Sequence, residues 1–296
     1  MFERRYFIVA QNFHGTTLLS KLLNDHPAVV SLGDTYPSNR LDQICGCGEP
    51  VSSCRFWNAV ADDVGSERYR ACSHLLPDYP RIVGGGGDRV LYNFLRPGML
   101  SRLIPGVDRK TFARDFEAFE ASVHKHGGRP EATVFVDGVK SISRVYALMA
   151  AGVRVDGVIH LYRDPGDYIK STMKQKGNSW RVLLQQLVMY RLFHRLARRT
   201  AAWVPYRSVT YEGLADDPVG TLNVLFRFLR VTPKPVAELV LHKREEPWHF
   251  MGNASLFGFD GTIRRRRYEL SASERRMTRL LAGRYDWEKI HLASRP

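Results

Sequence analysis

The sequence predicts an α/β fold of three layers, in which helices cover both faces of a central, mostly parallel sheet. Two observations predict it. Short apolar runs rich in Val, Ile, Tyr and Phe alternate with longer stretches whose apolar residues recur at helical spacing. The runs are also continuously apolar, which is typical of parallel strands that are buried on both faces. In such folds, ligands bind at the carboxyl ends of the strands.

The chain opens with a strand, a loop and a helix. Three features define this unit: a β-prone apolar run, a break that contains glycine, and leucines at helical spacing. In chain order we predict strand 5–11, loop 12–15, helix 16–24 and strand 28–32, the last closing at Gly33 and Asp34. His26 and Pro27 end the helix, because the residue before a proline disfavours helical backbone.

Residues 36–130 are rich in Gly and Pro, and we predict an insertion that shapes a ligand site, with one helix at residues 112–124. The regular alternation then returns. The prediction is strand 133–137, helix 143–150, strand 157–162, a helix from 165, helix 180–200, strand 206–210, helix 218–228 and a basic C-terminal segment. We expect a single domain over residues 1–296.

The composition is strongly basic. Lys and Arg number 44 against 30 Asp and Glu, for a net charge of +14, and the densest run is at residues 264–267. Such a charge favours an anionic ligand, an acidic polymer or an anionic membrane surface, or it is a solvated basic face. Aromatic residues are not interleaved with the basic ones, so the sequence does not predict a single-strand nucleic-acid platform. No apolar run has the length of a membrane span and the N-terminus lacks the pattern of a secretion signal, so we expect a cytoplasmic protein.

Three of the four cysteines lie close together in the sequence, at Cys45, Cys47 and Cys54. A zinc site would need a fourth ligand, for which Cys72 or His74 could serve. The spacing lacks the paired CxxC knuckles of structural zinc sites, so we favour reduced thiols that pack a loop and predict no metal.

The junction at Gly15, Thr16 and Thr17 is a candidate anion site. A helix that begins directly after a buried strand presents unpaired N–H groups and the positive end of its dipole to a phosphate or sulfate. Ordinary helix capping by a Thr after a Gly is the alternative. No Lys follows Gly15, so the GxxxxGK[ST] pattern of Mg²⁺-dependent nucleotide hydrolases is absent.

Residues 11–19 (QNFHGTTLL) resemble the 5′-phosphosulfate loop of sulfotransferases that use 3′-phosphoadenosine-5′-phosphosulfate (PAPS). The likeness continues through residues 22–27 (LLNDHP) to residues 33–35 (GDT), where the family has a short acidic segment. Residues 158–165 (VIHLYRDP), followed by Ser171, look like the family's 3′-phosphate site. Arg at the end of a strand gives a fork for a phosphate, although a surface ion pair of Arg163 with Asp164 would explain these two residues alone.

Three further blocks follow the family's order. Residues 136–141 (VDGVKS) resemble a DSSK stretch, residues 210–218 resemble a YEDLxxxP segment, and residues 249–253 (HFMGN) match an HxxGN stretch. Residues 45–57 also resemble a CxCG…CPFW segment of some bacterial members. Five blocks in order over about 250 residues make the resemblance cover most of the chain.

The resemblance implies a P-loop nucleoside-triphosphate-hydrolase-like sulfotransferase fold, PAPS as co-substrate, PAP as product, and a hydroxyl-bearing acceptor such as a carbohydrate, glycolipid or small natural product. It implies catalytic roles for Asp34 as general base, and for Lys140 and His14. It implies that the nucleotide site contains Phe13, His14, Gly15, Thr16, Thr17, Leu18, Arg163, Ser171, Tyr211, Gly252 and Asn253. Neither a metal nor a nucleic acid is implied, and contact with a membrane surface or an acidic glycan stays open.

Phe13 departs from the family pattern, because it stands where the family has Lys or Arg against the transferring group. Our hypothesis is that Lys140 and His14 supply the lost positive charge. The alternatives are a P-loop kinase that uses ATP, and a protein that binds PAP or a polyanion without catalysis. Lys140 could equally be a solvated lysine at a helix start, and Asp34 a turn residue.

Overall fold

The computed structural model describes residues 1–33, 44–65, 80–83, 87–177, 179–234, 249, 259, 261–265 and 268–283. Its centre is a five-stranded sheet in the order β2-β3-β1-β4-β5, in which every neighbouring pair is parallel. The strands are β1 (Arg4–Val9), β2 (Val29–Ser31), β3 (Val134–Lys140), β4 (Gly157–Tyr162) and β5 (Tyr206–Thr210). The predicted parallel sheet is confirmed, and β1 is its central strand.

Helices cover both faces of this sheet. In chain order they are α1 (Thr16–Leu23), α2 (Arg55–Val64), α3 (Gly87–Phe94), α4 (Pro97–Leu103), α5 (Gly106–His126), α6 (Ile142–Ala150), α7 (Pro165–Lys176), α8 (Trp180–Arg199), α9 (Tyr211–Asp216), α10 (Pro218–Phe228) and α11 (Ala272–Leu281). Helices α1, α9 and α10 pack on one face, and helices α2, α5 and α6 pack on the other. The three-layer α/β/α architecture is therefore confirmed.

The alternation of side chains along β1 explains why the strands are continuously apolar. Tyr6 and Ile8 belong to the core under α1 and α10, whereas Phe7 and Val9 belong to the core under α5 and α6. Successive residues of a strand point to opposite faces, and here both faces are buried.

The insertion contains more regular structure than the sequence predicts. The one helix expected at residues 112–124 extends over the longer α5, and the sequence reading missed α2, α3 and α4. Two of the Gly and Pro residues that suggest loops instead stand at helix starts, because Pro97 occupies the first turn of α4 and Gly106 begins α5. Phe56 on α2 and Phe116 on α5 join the core cluster that contains Phe135 of β3, so these helices share the core of the sheet.

Among the described residues, no helix combines the length and hydropathy that crossing a membrane requires.

Candidate active site

The loop between β1 and α1 lies at the carboxyl end of the central strand. It turns through two residues with positive φ, Phe13 at 67° and Gly15 at 90°. Gly15 is the N-cap of α1, and a glycine has no side chain that could cap the helix. The first helical bond of this turn runs from the Leu19 N–H to the Gly15 carbonyl (3.0 Å), so four N–H groups before it have no partner within the helix.

The hydroxyl of Thr16 adds a further donor to this loop. Thr16 is buried, and its Oγ1 has no hydrogen-bond partner among the described residues. If a Thr capped this helix, its side chain would bond a backbone N–H group; instead the cap is Gly15, and the Thr16 hydroxyl has no partner among the residues that the structure describes. Buried donors that lack partners are costly, and an anion would satisfy them.

Arg163 follows β4, the neighbour of β1, and is 9% exposed. Its Nη1 donates to the carbonyl of Phe13 at 2.6 Å, which ties the end of β4 to the loop. Its Nε is buried without a partner in the part of the chain that the structure describes. Its guanidinium lies over the ring of Tyr211, with 5.0 Å from Cζ to the ring centroid. Arg163 is thus held in place, and its Nε–H group can still donate a hydrogen bond to a ligand.

Tyr211 begins α9 directly after β5, and its ring packs against Gly15. Its hydroxyl donates to the carbonyl of Arg264 at 3.1 Å, which brings the basic C-terminal segment to the same edge. The ends of β1, β4 and β5 therefore converge on one site, as parallel strands with aligned carboxyl ends require.

Asp164 does not form the surface ion pair that was the alternative for this block. Its Oδ1 accepts the N–H groups of Gly166 (2.8 Å) and Asp167 (3.0 Å), so Asp164 caps α7. Its own N–H donates to the buried carboxylate of Glu212 at 2.9 Å. Asp164 and Glu212 fix the backbone that carries Arg163.

Lys140 is the last residue of β3, with φ at 71°, and it is half-buried. Its carbonyl accepts the N–H of Ala10, at the end of β1, at 3.5 Å. Helix α6 begins two residues later, with Ser141 as its cap, so Lys140 belongs to the strand end and not to the helix start.

The environment of His14 argues against the positive charge expected of this residue. Its side chain is fully buried, with Nδ1 3.2 Å from the carbonyl oxygen of Asn12. Burial, with smaller contributions from the charges of Arg163 and Lys140, lowers the pKa of His14 to about 3. The ring is neutral at pH 7, so His14 cannot supply the positive charge that Phe13 lacks.

A group of buried histidines extends from His14 and was missed by the sequence analysis. His160 Nε2 lies 2.7 Å from His194 Nδ1, and the other ring nitrogen of His160 bonds the hydroxyl of Tyr206. The centroids of the His14 and His194 rings are 5.4 Å apart. Burial lowers the pKa values of His160 and His194 well below the usual range, so the group is uncharged. Its three histidines come from the loop, β4 and α8, and their sequence spacing gives no signal of the contact.

Of the remaining predicted site residues, Thr17 and Leu18 lie in the first turn of α1, and the others divide into two sets. Ser171 is half-buried on α7, about two turns from the helix start, and none of the contacts described for it reaches the loop. Asp34, Gly252 and Asn253 lie outside the described residues. Gly33, immediately before Asp34, is described, and it packs so closely on β3 that a Cβ on Gly138 would clash with the carbonyl oxygen of Gly33.

Three solved structures are similar to this chain over most of its length. The sulfotransferase domain of the Synechococcus PCC 7002 olefin synthase is 16% identical, with a TM-score of 0.45, and the match covers 96% of this chain and 94% of that one. A sulfotransferase from Alicyclobacillus acidocaldarius is 15% identical, with a TM-score of 0.43 and coverages of 98% and 99%. The sulfotransferase STF9 from Mycobacterium avium is 15% identical, with a TM-score of 0.44 and coverages of 94% and 75%. No family model matches the chain, and no match was found among curated proteins.

Proposed function

We propose that this chain is a sulfotransferase that moves a sulfuryl group from PAPS to the hydroxyl of an acceptor. The observation that carries the proposal is the setting of Arg163. Its buried guanidinium is fixed between the Phe13 carbonyl and the Tyr211 ring, with Nε unpartnered among the described residues, beside the open N-terminus of α1. A fixed arginine next to an anion-binding helix end suits a ligand that carries two separate anionic groups.

The donors at the start of α1 and on Arg163 match the two anionic groups of PAPS, its 5′-phosphosulfate and its 3′-phosphate. The backbone N–H groups at the start of α1 and the Thr16 hydroxyl would bind the 5′-phosphosulfate. The Nε of Arg163, together with the hydroxyl of Ser171, would bind the 3′-phosphate. Tyr211, which lies between Gly15 and Arg163, would orient the adenosine.

PAPS supplies an activated sulfuryl group with a phosphate leaving group. In the transfer, a bond forms between the acceptor oxygen and sulfur, and the bond from sulfur to the 5′-phosphate oxygen breaks, which leaves PAP and a sulfate ester. The acceptor proton passes to a base, which we assign to Asp34, and then to solvent.

Negative charge develops on the leaving phosphate oxygen during this step. The N–H groups of Gly15, Thr16 and Thr17 and the ammonium group of Lys140 would stabilise it, because preorganised donors act where the charge appears. Two observations favour Lys140 over His14 for the positive charge. The backbone of Lys140 is bonded to the end of β1, and the ring of His14 is neutral. His14 instead packs behind the loop, between Tyr168 and His194.

The chain's basic charge suits an anionic co-substrate. The acceptor we propose is a carbohydrate, a glycolipid or a small natural product with a free hydroxyl, encountered in the cytoplasm.

The test does not need the acceptor. Thermal unfolding is followed with PAP, 5′-AMP and ATP at equal concentrations in magnesium-free buffer, and the ATP series is repeated with added Mg²⁺. The proposal predicts that PAP raises the unfolding temperature most, since only PAP offers both the 5′- and the 3′-phosphate. An ATP shift as large as the PAP shift, or an ATP shift that requires Mg²⁺, would favour the kinase alternative. No shift with any nucleotide would leave a polyanion-binding protein as the better account.

A further inference from the structure

Four side chains that the proposed sulfuryl transfer does not use meet at one point. They are Cys45 and Cys47, in the turn before α2, Cys54, at the N-cap of α2, and His249, from the C-terminal part of the chain. Their ligand atoms all lie within 4.8 Å of one another. His249 is 204 residues from Cys45 and 195 from Cys54 in the sequence, so the fold alone brings it to the thiols.

The separations between these atoms are those of ligands around one small ion. Cys47 Sγ lies 3.6 Å from Cys54 Sγ, and His249 Nδ1 lies 3.8 Å from Cys45 Sγ and 3.4 Å from Cys54 Sγ. A tetrahedral zinc ion, about 2.3 Å from sulfur and about 2.0 Å from nitrogen, separates two sulfurs by about 3.8 Å and sulfur from nitrogen by about 3.5 Å. The three known edges match these values closely.

The surroundings position the ligands before any ion binds. A tight turn holds the first two cysteines, with the Gly48 N–H bonded to the Cys45 carbonyl at 2.9 Å and the Cys45 N–H bonded to the Glu49 carbonyl at 2.8 Å. The ring of Phe56 stacks on His249 at 4.7 Å between centroids, which fixes the plane of the imidazole. Cys45 and Cys54 are fully buried.

We propose that Cys45, Cys47, Cys54 and His249 bind one zinc ion in a closed, structural site. Three sulfurs and one imidazole nitrogen are ligands that zinc prefers, and four protein ligands leave no open position for catalysis. The ion would join the turn before α2 to the segment that contains His249. The sequence offers Cys72 or His74 as a fourth ligand and favours reduced thiols without a metal. Cys72 and His74 lie outside the described residues, and the structure places His249 at the three thiols instead.

The first test is the metal content of the purified, untagged full chain, measured by mass spectrometry of the elements beside a thiol titration. The proposal predicts about one zinc per chain, and three thiols that react only after the metal is removed. Protein free of metal that shows all four thiols reactive would overturn the proposal. So would an intact protein mass that is two hydrogens lower, which indicates a Cys47–Cys54 disulfide, or iron in place of zinc.

Variants then assign the ligands. Cys54→Ser and His249→Ala should lose most of the zinc, whereas His249→Cys should keep it, because a fourth thiolate also completes a zinc site. Cys72→Ser and His74→Ala are the matched controls and should keep a full equivalent. Far-ultraviolet circular dichroism of each variant separates loss of metal from loss of fold. If Cys54→Ser is folded and holds as much zinc as the wild type, the four-ligand site is wrong.

The inference does not depend on the proposed transfer reaction. Zinc content and nucleotide binding are measured independently, so either one can fail alone.

Discussion

The ring of Tyr211 lies directly against Gly15, so closely that a Cβ at position 15 would be 2.7 Å from Cδ2 of the tyrosine. This contact joins the loop after the first strand to the helix after the last strand. It also places the same aromatic ring under the guanidinium of Arg163. The packing of this one side chain thereby determines the shape of the proposed nucleotide site.

Gly15→Ala tests that contact. We expect it to weaken PAP binding at least about tenfold, because the new methyl group displaces Tyr211, and to lower the free energy of unfolding by about 2–4 kcal/mol. The control is Gly152→Ala, which has a similar φ (87°) but nothing within 4 Å of the new Cβ. The control should lose only about 1–2 kcal/mol, from backbone strain, and bind PAP normally. Equal effects of the two substitutions on binding would contradict the proposed role of Tyr211.

Substitutions of Tyr211 separate its ring from its hydroxyl. Tyr211→Phe removes the bond to the Arg264 carbonyl but keeps the ring beside Arg163, so PAP affinity should fall by no more than about threefold. Tyr211→Leu removes the ring, and affinity should fall about tenfold or more. Fluorescence competition or calorimetry measures both. The interpretation fails if the leucine variant binds PAP as well as the phenylalanine variant does.

The hypothesis that Lys140 supplies the positive charge missing at Phe13 can be tested by placing a lysine at position 13. Lys140→Met should lower kcat about a hundredfold without a matching loss of PAP affinity, whereas Lys140→Arg should retain most activity. Met, Arg and Lys all tolerate φ of 71° equally poorly, so backbone strain is matched across the series. Adding Phe13→Lys to Lys140→Met should raise kcat about tenfold or more above that of Lys140→Met alone. A double variant as slow as Lys140→Met would show that a positive charge at position 13 cannot replace the one at position 140.

The buried histidines predict an acid-sensitive fold. Burial lowers the pKa of His14 to about 3, against 6.5 for the free group, so below pH 6.5 the unfolded state binds a proton that the folded state excludes. Stability attributable to His14 is therefore complete above pH 6.5 and declines as the pH falls from 6.5 towards 3, by about 1.4 kcal/mol per pH unit. The lowered pKa values of His160 and His194 reduce the stability of the fold at low pH in the same way.

Urea unfolding of the wild type and of His14→Gln between pH 7.5 and 5 measures this effect. The free energy of unfolding of the variant should depend less steeply on pH, by the slope that corresponds to the uptake of about one proton on unfolding. Parallel curves for the two proteins would mean that His14 is not buried as a neutral ring.

The central sheet could be predicted because its strands are strongly apolar and have clear boundaries. Strands β4 and β5 and helix α10 occur with the predicted limits, since Gly157, Pro205 and Pro218 mark their starts. Helix α5 is longer than predicted because its first turns are polar and charged, with little apolar periodicity before Phe112.

The site was predictable only in part. The loop residues follow from a local pattern, so their place at the end of β1 could be anticipated. The neutral state of His14 could not, because it depends on burial among side chains from α7 and α8. The contact of His249 with Cys54 joins residues 195 positions apart, and no local pattern encodes such a pairing.

The most direct test of the central claim is calorimetric titration of the purified chain with PAP, beside ATP, in magnesium-free buffer. We predict micromolar PAP binding that weakens at least about tenfold in Arg163→Ala, since each lost charge-assisted bond removes about 1.5–3 kcal/mol. Arg114→Ala, which alters an arginine whose side chain is 74% exposed, is the matched control and should bind PAP as the wild type does. Failure of the wild type to bind PAP, or tighter binding of ATP than of PAP, would contradict the assignment as a PAPS-dependent sulfotransferase.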